Sequence, residues 1–141
     1  MENPSDEELL RVYQAYRTIA VVGASTSPDK AAHFVPEYLK DQGFEVVPVN
    51  PGADEVLGEQ AHASLEEIDG SIDVVVVFRS SEEAPDIARQ AVDAGAKVIW
   101  LQEGIVSQEA ASIARDTGLT VVMDRCIGRT HGQLGLGPGP D

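Results

Sequence analysis

The sequence predicts an α/β domain built on a five-stranded parallel sheet, and three observations carry that expectation. Five apolar segments rich in β-branched residues, near 18–22, 44–49, 72–78, 97–101 and 119–123, have the composition of strands buried on both faces. Asp41-Gln42-Gly43, Asp93-Ala94-Gly95 and Asp116-Thr117-Gly118 each stand directly before such a segment, with glycine placed to supply the left-handed residue that stops a helix. The windows between them repeat with helical period, most clearly Ala84, Ile87, Ala88, Ala91 and Val92. Helix and strand therefore alternate, which is the order of a parallel sheet with crossover helices.

Taken in order, the chain opens with Pro4-Ser5-Asp6-Glu7-Glu8. Ser5 and Glu8 make an S-x-x-E capping box, and acids in a first turn suit the helix dipole. A helix is expected over about 5–16, with Leu9, Tyr13 and Tyr16 as its buried stripe, lying outside the sheet as an extra element. Ile19-Ala20-Val21-Val22 forms the first strand and ends at Gly23. Pro36 breaks a helix interior but is harmless in a first turn, where amides have no intrahelical acceptor. The helix that holds it is therefore expected to start late, near Ala32 or His33, after a long loop from Ser25 to Ala32, and to run to about 42.

Asn50 to Gly70 lacks the pattern of a full crossover helix. Ser64-Leu65-Glu66-Glu67 offers a second capping box and a short helix from Leu65 to about Asp69, enough to complete a right-handed crossover. Helices near 81–94, capped by Ser80 with Glu83, and near 107–117 complete the alternation. Residues 1–131 are expected to form one domain, and the Gly/Pro-rich stretch 132–141 a flexible tail.

Composition narrows the function. A chain of 141 residues makes one globular unit, and its net charge of −14, from 24 acidic and 10 basic residues, repels nucleic acid. No apolar run approaches the roughly 18 residues of a membrane span, and the acidic N-terminus lacks a signal-peptide profile, so a cytoplasmic protein without a membrane partner is expected. The charge balance also matches a surface adapted to high salt, where screening removes self-repulsion; the alternative is a merely acidic protein. A single cysteine, Cys126, excludes an internal disulfide, and His33, His62 and His131 have no ligand-like spacing, so no metal site is expected.

Open parallel sheets bind ligands beyond the carboxyl ends of their strands, where the strand order reverses. The segments in that position are Gly23 to Lys30, Asn50-Pro51-Gly52, Arg79-Ser80-Ser81, Gln102-Glu103-Gly104 and Asp124-Arg125-Cys126. The first joins a strand to a helix N-terminus, where amides and the helix dipole converge on an anion such as a phosphate; the alternative is an ordinary connection with a Ser/Pro turn. It lacks the second and third glycines of G-x-G-x-x-G and the second of the P-loop, and Asn50 stands where an NAD site has an acid, which disfavours an NAD enzyme. Lys30, Arg79, Arg125 and Arg129 lie in strand-end loops, whereas Lys97, at a strand start, lies at the wrong edge.

Five motifs in order, VVGAS at 21–25, VVPVNPGADEVLGEQAHASLEEI at 46–68, DVVVVFRSSEEAPDI at 73–87, AKVIWLQEGI at 96–105 and VVMDRCIGRTH at 121–131, carry a resemblance. From about Arg17 to His131 the chain resembles the small single-domain CoA-binding proteins related to the CoA-binding domain of the succinyl-CoA synthetase alpha subunit. The resemblance implies a Rossmann-like three-layer domain with coenzyme A, or an acyl-CoA, across the carboxyl edge of the sheet. Gly23 and Ala24 open the small, turn-forming stretch at the ligand edge; by the resemblance Ser25, Thr26, Ser27 and Lys30 hold phosphates, and Asn50 and Pro51 border the nucleotide. Phe78, Arg79 and Ser80 flank the cofactor, and Gln102, Glu103 and Gly104 lie near the pantetheine arm.

Cys126 falls at the same edge, either as a thiol near the thiol end of CoA or as a small buried hydrophobe. Synthetase relatives transfer phosphoryl groups through a histidine in a second domain, so a complete ligase is not expected and no catalytic residue is assigned. The expectation is a stand-alone CoA-binding or regulatory module whose protein partner, if any, is unknown. Its alternatives are a nucleotide- or NAD-responsive regulator or enzyme on the same fold, and a structural partner protein with a vestigial site.

Overall fold

The computed structural model describes residues 3–136. Helix α1 (Asp6–Ala15) leads into β1 (Thr18–Val22), α2 (Ala31–Asp41) and β2 (Glu45–Val49). A small hairpin, β3 (Glu55–Val56) with β4 (Glu59–Gln60), and a 3-10 turn (Leu65–Glu67) precede β5 (Val74–Val77). Then come α3 (Ala84–Asp93), β6 (Val98–Leu101), α4 (Gln108–Asp116), β7 (Thr120–Val122) and α5 (Ile127–Gln133).

The five long strands form one parallel sheet in the order β2-β1-β5-β6-β7. One face packs Leu9 and Tyr13 of α1, Leu39 of α2 and Ile127 of α5 against Ile19, Val21 and Trp100; the other packs Ile87 and Ala88 of α3 and Ala111 of α4 against Ala20, Val75 and Ile99. This is the expected Rossmann-like three-layer build with its extra N-terminal helix. The Ser5–Glu8 capping box is present, and Tyr13 donates a buried hydrogen bond of 2.6 Å to the Ile127 carbonyl, locking α1 to α5. Burial pushes the Tyr13 hydroxyl's pKa upward, which keeps that donor protonated. No described helix is long and apolar enough to cross a membrane.

Several local expectations change. Helix α2 begins at Ala31, so Pro36 sits in its second turn; the carbonyl that the missing proline amide would have engaged, that of Ala32, instead accepts from Ser25 N–H at 3.0 Å. The side chain of Ser64 caps nothing, and the element after it is a single 3-10 turn from Leu65 to Glu67. Nor is Ser80 a helix cap: its hydroxyl donates to Glu83 Oε2 at 3.1 Å within a preceding turn, and α3 starts at Ala84 with Pro85 in its first turn.

Two elements had no expectation. Across the β3–β4 hairpin Leu57 (φ 56°) and Gly58 (φ 77°) turn left-handed, and Lys40 ties the hairpin to α2 through the Leu57 carbonyl (2.7 Å) and Glu59 (2.9 Å). Helix α5 runs through Gln133, and Leu134 and Leu136 pack on the core, so the segment assigned to a flexible tail is structured at 132–136. Its remainder, 137–141, lies outside the described residues.

Candidate functional site

Register brings the site together. Val22 of β1 pairs with Val49 of β2 on one side and Val77 of β5 on the other, so Gly23, Asn50 and Phe78 leave the sheet side by side. The chain passes from β1 out to β2 and returns across β1 to β5, which puts the reversal of strand order between β1 and β5.

Gly23 makes this approach possible. Its φ is 90°, and a Cβ there would stand 2.9 Å from Arg79 Cδ and 3.0 Å from the Phe78 carbonyl oxygen. Only glycine combines that backbone with that space. Asn50 ties the next loop: its Nδ2 donates to the Ala24 carbonyl (2.9 Å), and its Oδ1 accepts from Gly52 N–H (2.7 Å).

A cleft of about 470 Å³ opens at this junction. Of the expected residues, Gly23, Ala24, Asn50, Pro51 and Arg79 line it. Val22, Val49 and Ile87 add apolar surface, and Ser64 contributes from the crossover. Sequence reasoning missed the wall supplied by the start of α3, where Glu82, Glu83 and Asp86 face the cleft. The signal is three acids within five residues shortly after Arg79, of which the sequence reading gives a role only to Glu83, as the capping partner of Ser80.

Arg79 donates to Glu83 Oε1 from both Nε (3.2 Å) and Nη2 (2.9 Å). These bonds, with that from Ser80, hold the Glu83 carboxyl below the usual carboxylate range.

The loop from Ser25 to Lys30 continues from Ala24 without itself lining the cleft, and it is tied internally. Ser25 Oγ accepts from Ser27 N–H (3.0 Å), and Lys30 N–H donates to the Ser27 carbonyl (3.1 Å). His33 Nδ1 lies 2.8 Å from the Ser25 carbonyl; a carbonyl only accepts, so the ring proton sits on Nδ1. Thr26 and Lys30 are exposed. Lys30 stands at the N-cap of α2, where no side chain caps the helix and no acid lies in the first turn. By contrast α1, α3 and α4 each carry an acid there.

Phe78 and Ser80, which flank Arg79 directly after β5, are not among the residues that line the cleft, and the remaining expected residues lie farther along the sheet edge, after β6 and β7. Gln102 is buried and accepts from Ile127 N–H through Oε1 (3.0 Å), while Gly104 N–H donates to Asp124 Oδ1 (2.7 Å). Glu103 pairs with Arg129 at 2.9 Å, and Arg125 with Asp6 at 3.7 Å. Half-buried Cys126 is the N-cap of α5, its sulfur accepting from Arg129 N–H at 3.4 Å. Among the described residues no group of three or more His, Cys, Asp or Glu side chains is placed to hold a metal ion.

The residues at the junction fit the chemistry of CoA. The apolar strand ends offer surface to a base, carboxylates and amides can meet sugar hydroxyls, and the uncapped α2 N-terminus with Lys30 suits a diphosphate.

The chain is 46% identical to the uncharacterized protein YneT of Bacillus subtilis over 93% of its own length and 97% of that protein. It is 30% identical to the alpha subunit of an ADP-forming acetate–CoA ligase II from Pyrococcus furiosus, over 84% of its own length. It spans just 29% of that subunit. A hypothetical protein of Pyrococcus horikoshii OT3 superposes with a TM-score of 0.91 at 36% identity, covering 96% of this chain and all of that one. Residues 17–132 match the family described as CoA binding domain, and with the fold and the strand-end cleft in agreement, the chain belongs to that family.

Proposed function

We propose that this protein binds coenzyme A or an acyl-CoA at the carboxyl edge of its sheet and acts as a stand-alone binding or regulatory module in the cytoplasm. One observation carries the reading: the cleft at the β1/β5 reversal is lined by Gly23 and Ala24, and the loop that continues from them leads to a helix start that has Lys30 at its N-cap and no acid of its own in its first turn. In a chain of net charge −14 that arrangement favours an incoming anion. Ser25, Thr26, Ser27 and Lys30 would hold the diphosphate, and Gly23, Ala24, Asn50, Pro51 and Arg79 would border the nucleoside. CoA supplies a thiol that carries acyl groups, so occupancy could report either the free or the acylated pool.

The test is thermal unfolding with CoA, acetyl-CoA, dephospho-CoA, NAD and ATP. A ligand that binds only the folded state raises stability by RT ln(1 + [L]/Kd), about 2.7 kcal/mol at a hundredfold excess over Kd. CoA or acetyl-CoA should shift the transition where NAD does not. A response to NAD but not to CoA overturns the reading in favour of a nucleotide-responsive protein. Silence across the set leaves a structural protein with a vestigial site.

A further inference from the structure

We propose that Glu83 sets how the cleft treats a phosphate on the ligand's ribose, by neutralising Arg79 and holding the Nε/Nη2 edge of its guanidinium, one of the edges that can grip such a phosphate in two bonds. The inference rests on the CoA reading above and names a specificity residue within it. Among the described residues lining the cleft Arg79 is the one cation, set against Glu82, Glu83 and Asp86. Both Arg79 bonds to this carboxylate end on Glu83 Oε1, and Ser80 donates to the other oxygen, so each oxygen is engaged.

In this state the carboxylates of the wall accept from free ribose hydroxyls and repel a ribose phosphate, which lowers the preference for CoA over dephospho-CoA and leaves the diphosphate site of the CoA reading unchanged. Glu83 holds the Nε/Nη2 edge of the guanidinium, so a phosphorylated ribose gains that edge only by displacing Glu83, which leaves the Glu83 carboxylate in the cleft without that partner. The exchange is sterically open. Both side chains are about half exposed, at 50% and 46%, and the Arg79 stem passes over Gly23.

CoA and dephospho-CoA differ by that one phosphate, so the ratio of their dissociation constants, measured by titration calorimetry, reads the effect. In Glu83→Gln the guanidinium is no longer neutralised and is held at most by a neutral amide oxygen, so CoA should bind about tenfold or more tightly relative to dephospho-CoA than in the wild type, the range of one charge-assisted hydrogen bond. Glu82→Gln removes the same unit charge from the cleft without touching the pair. Its ratio should change by less than about threefold, the part due to field alone. Adding Arg79→Ala to Glu83→Gln should return the ratio to its wild-type value.

An unchanged ratio in Glu83→Gln, or an equal change in Glu82→Gln, overturns the inference while both ligands still bind, and the CoA reading survives. Absence of binding by either ligand in every variant, each verified as folded by its melting transition, overturns both.

Discussion

The Ser25 amide donates to the Ala32 carbonyl at 3.0 Å, an acceptor that Pro36 leaves without its helical donor. In an uninterrupted helix the amide at position 36 would take the carbonyl at position 32. Proline has no such donor, so the helix gives up one internal bond and the loop after β1 gains one. With His33 Nδ1 on the Ser25 carbonyl, both backbone polar groups of Ser25 are fixed to the helix whose N-terminus the loop approaches.

Pro36→Ala therefore should separate stability from binding. The helix regains a donor aimed at Ala32, and relieving an interior proline is worth up to about 3 kcal/mol in a helix free to relax. The loop meanwhile loses its exclusive hold, and CoA affinity should fall about three- to tenfold, roughly 0.7–1.4 kcal/mol. Urea unfolding and calorimetry measure the two quantities. A variant unchanged in both would remove Pro36 from the organisation of the loop.

Gly23→Ala should damage fold and site together. A left-handed φ of 90° strains any L side chain, and the new Cβ would press on the Phe78 carbonyl, which is backbone and cannot swing aside. A loss of about 1–3 kcal/mol in unfolding free energy is expected. Weaker CoA binding should accompany it, because the loops after β1 and β5 must part. Wild-type stability in this variant would mean that the junction yields at little cost.

The sheet was legible because its signals are local. Val74 to Val77 is buried at every position, and Gly43, Gly95 and Gly118 end their helices in the left-handed region. The cleft was legible only on one side. Residues after the strands follow from topology, but Glu82, Glu83 and Asp86 reach the cleft from the start of α3, and neither topology nor the periodic face of Ala84, Ile87, Ala88, Ala91 and Val92 marks them.

Helix α5 escaped for a related reason. It is short, contains two glycines, and is held by distant partners, Tyr13 on the Ile127 carbonyl and Gln102 on the Ile127 amide. Gln102 read as a ligand residue because a polar side chain after a strand carries no mark of which way it turns.

Salt should stabilise this chain. Twenty-four acidic residues against ten basic ones give self-repulsion that counterions screen, with a Debye length of about 10 Å at 0.1 M and 3 Å at 1 M. Several surface pairs, such as Arg11 with Glu7 and Arg89 with Glu109, are exposed and contribute little at any salt concentration, so screening of like charges should dominate. The unfolding temperature should rise between dilute buffer and molar KCl and then remain high. A flat response would assign the acidity to a role other than salt adaptation.

Cys126 gives the last prediction, because its place as the N-cap of α5 sets a structural role against a chemical one. Sulfur is a weak acceptor, and its contact with Arg129 N–H is long at 3.4 Å. Serine is among the preferred N-cap residues, so Cys126→Ser should strengthen the cap by about 0.5–1 kcal/mol, offset in part by the thiol's lost packing. The neighbouring cations that would favour a thiolate are each engaged elsewhere, Arg125 with Asp6 and Arg129 with Glu103. Reactivity toward oxidised CoA should accordingly be low, and Cys126→Ser should melt at or above the wild-type temperature. Mass spectrometry after incubation with CoA disulfide is the check: an adduct on Cys126, removed by reductant and absent from Cys126→Ser, would return the thiol to the ligand site.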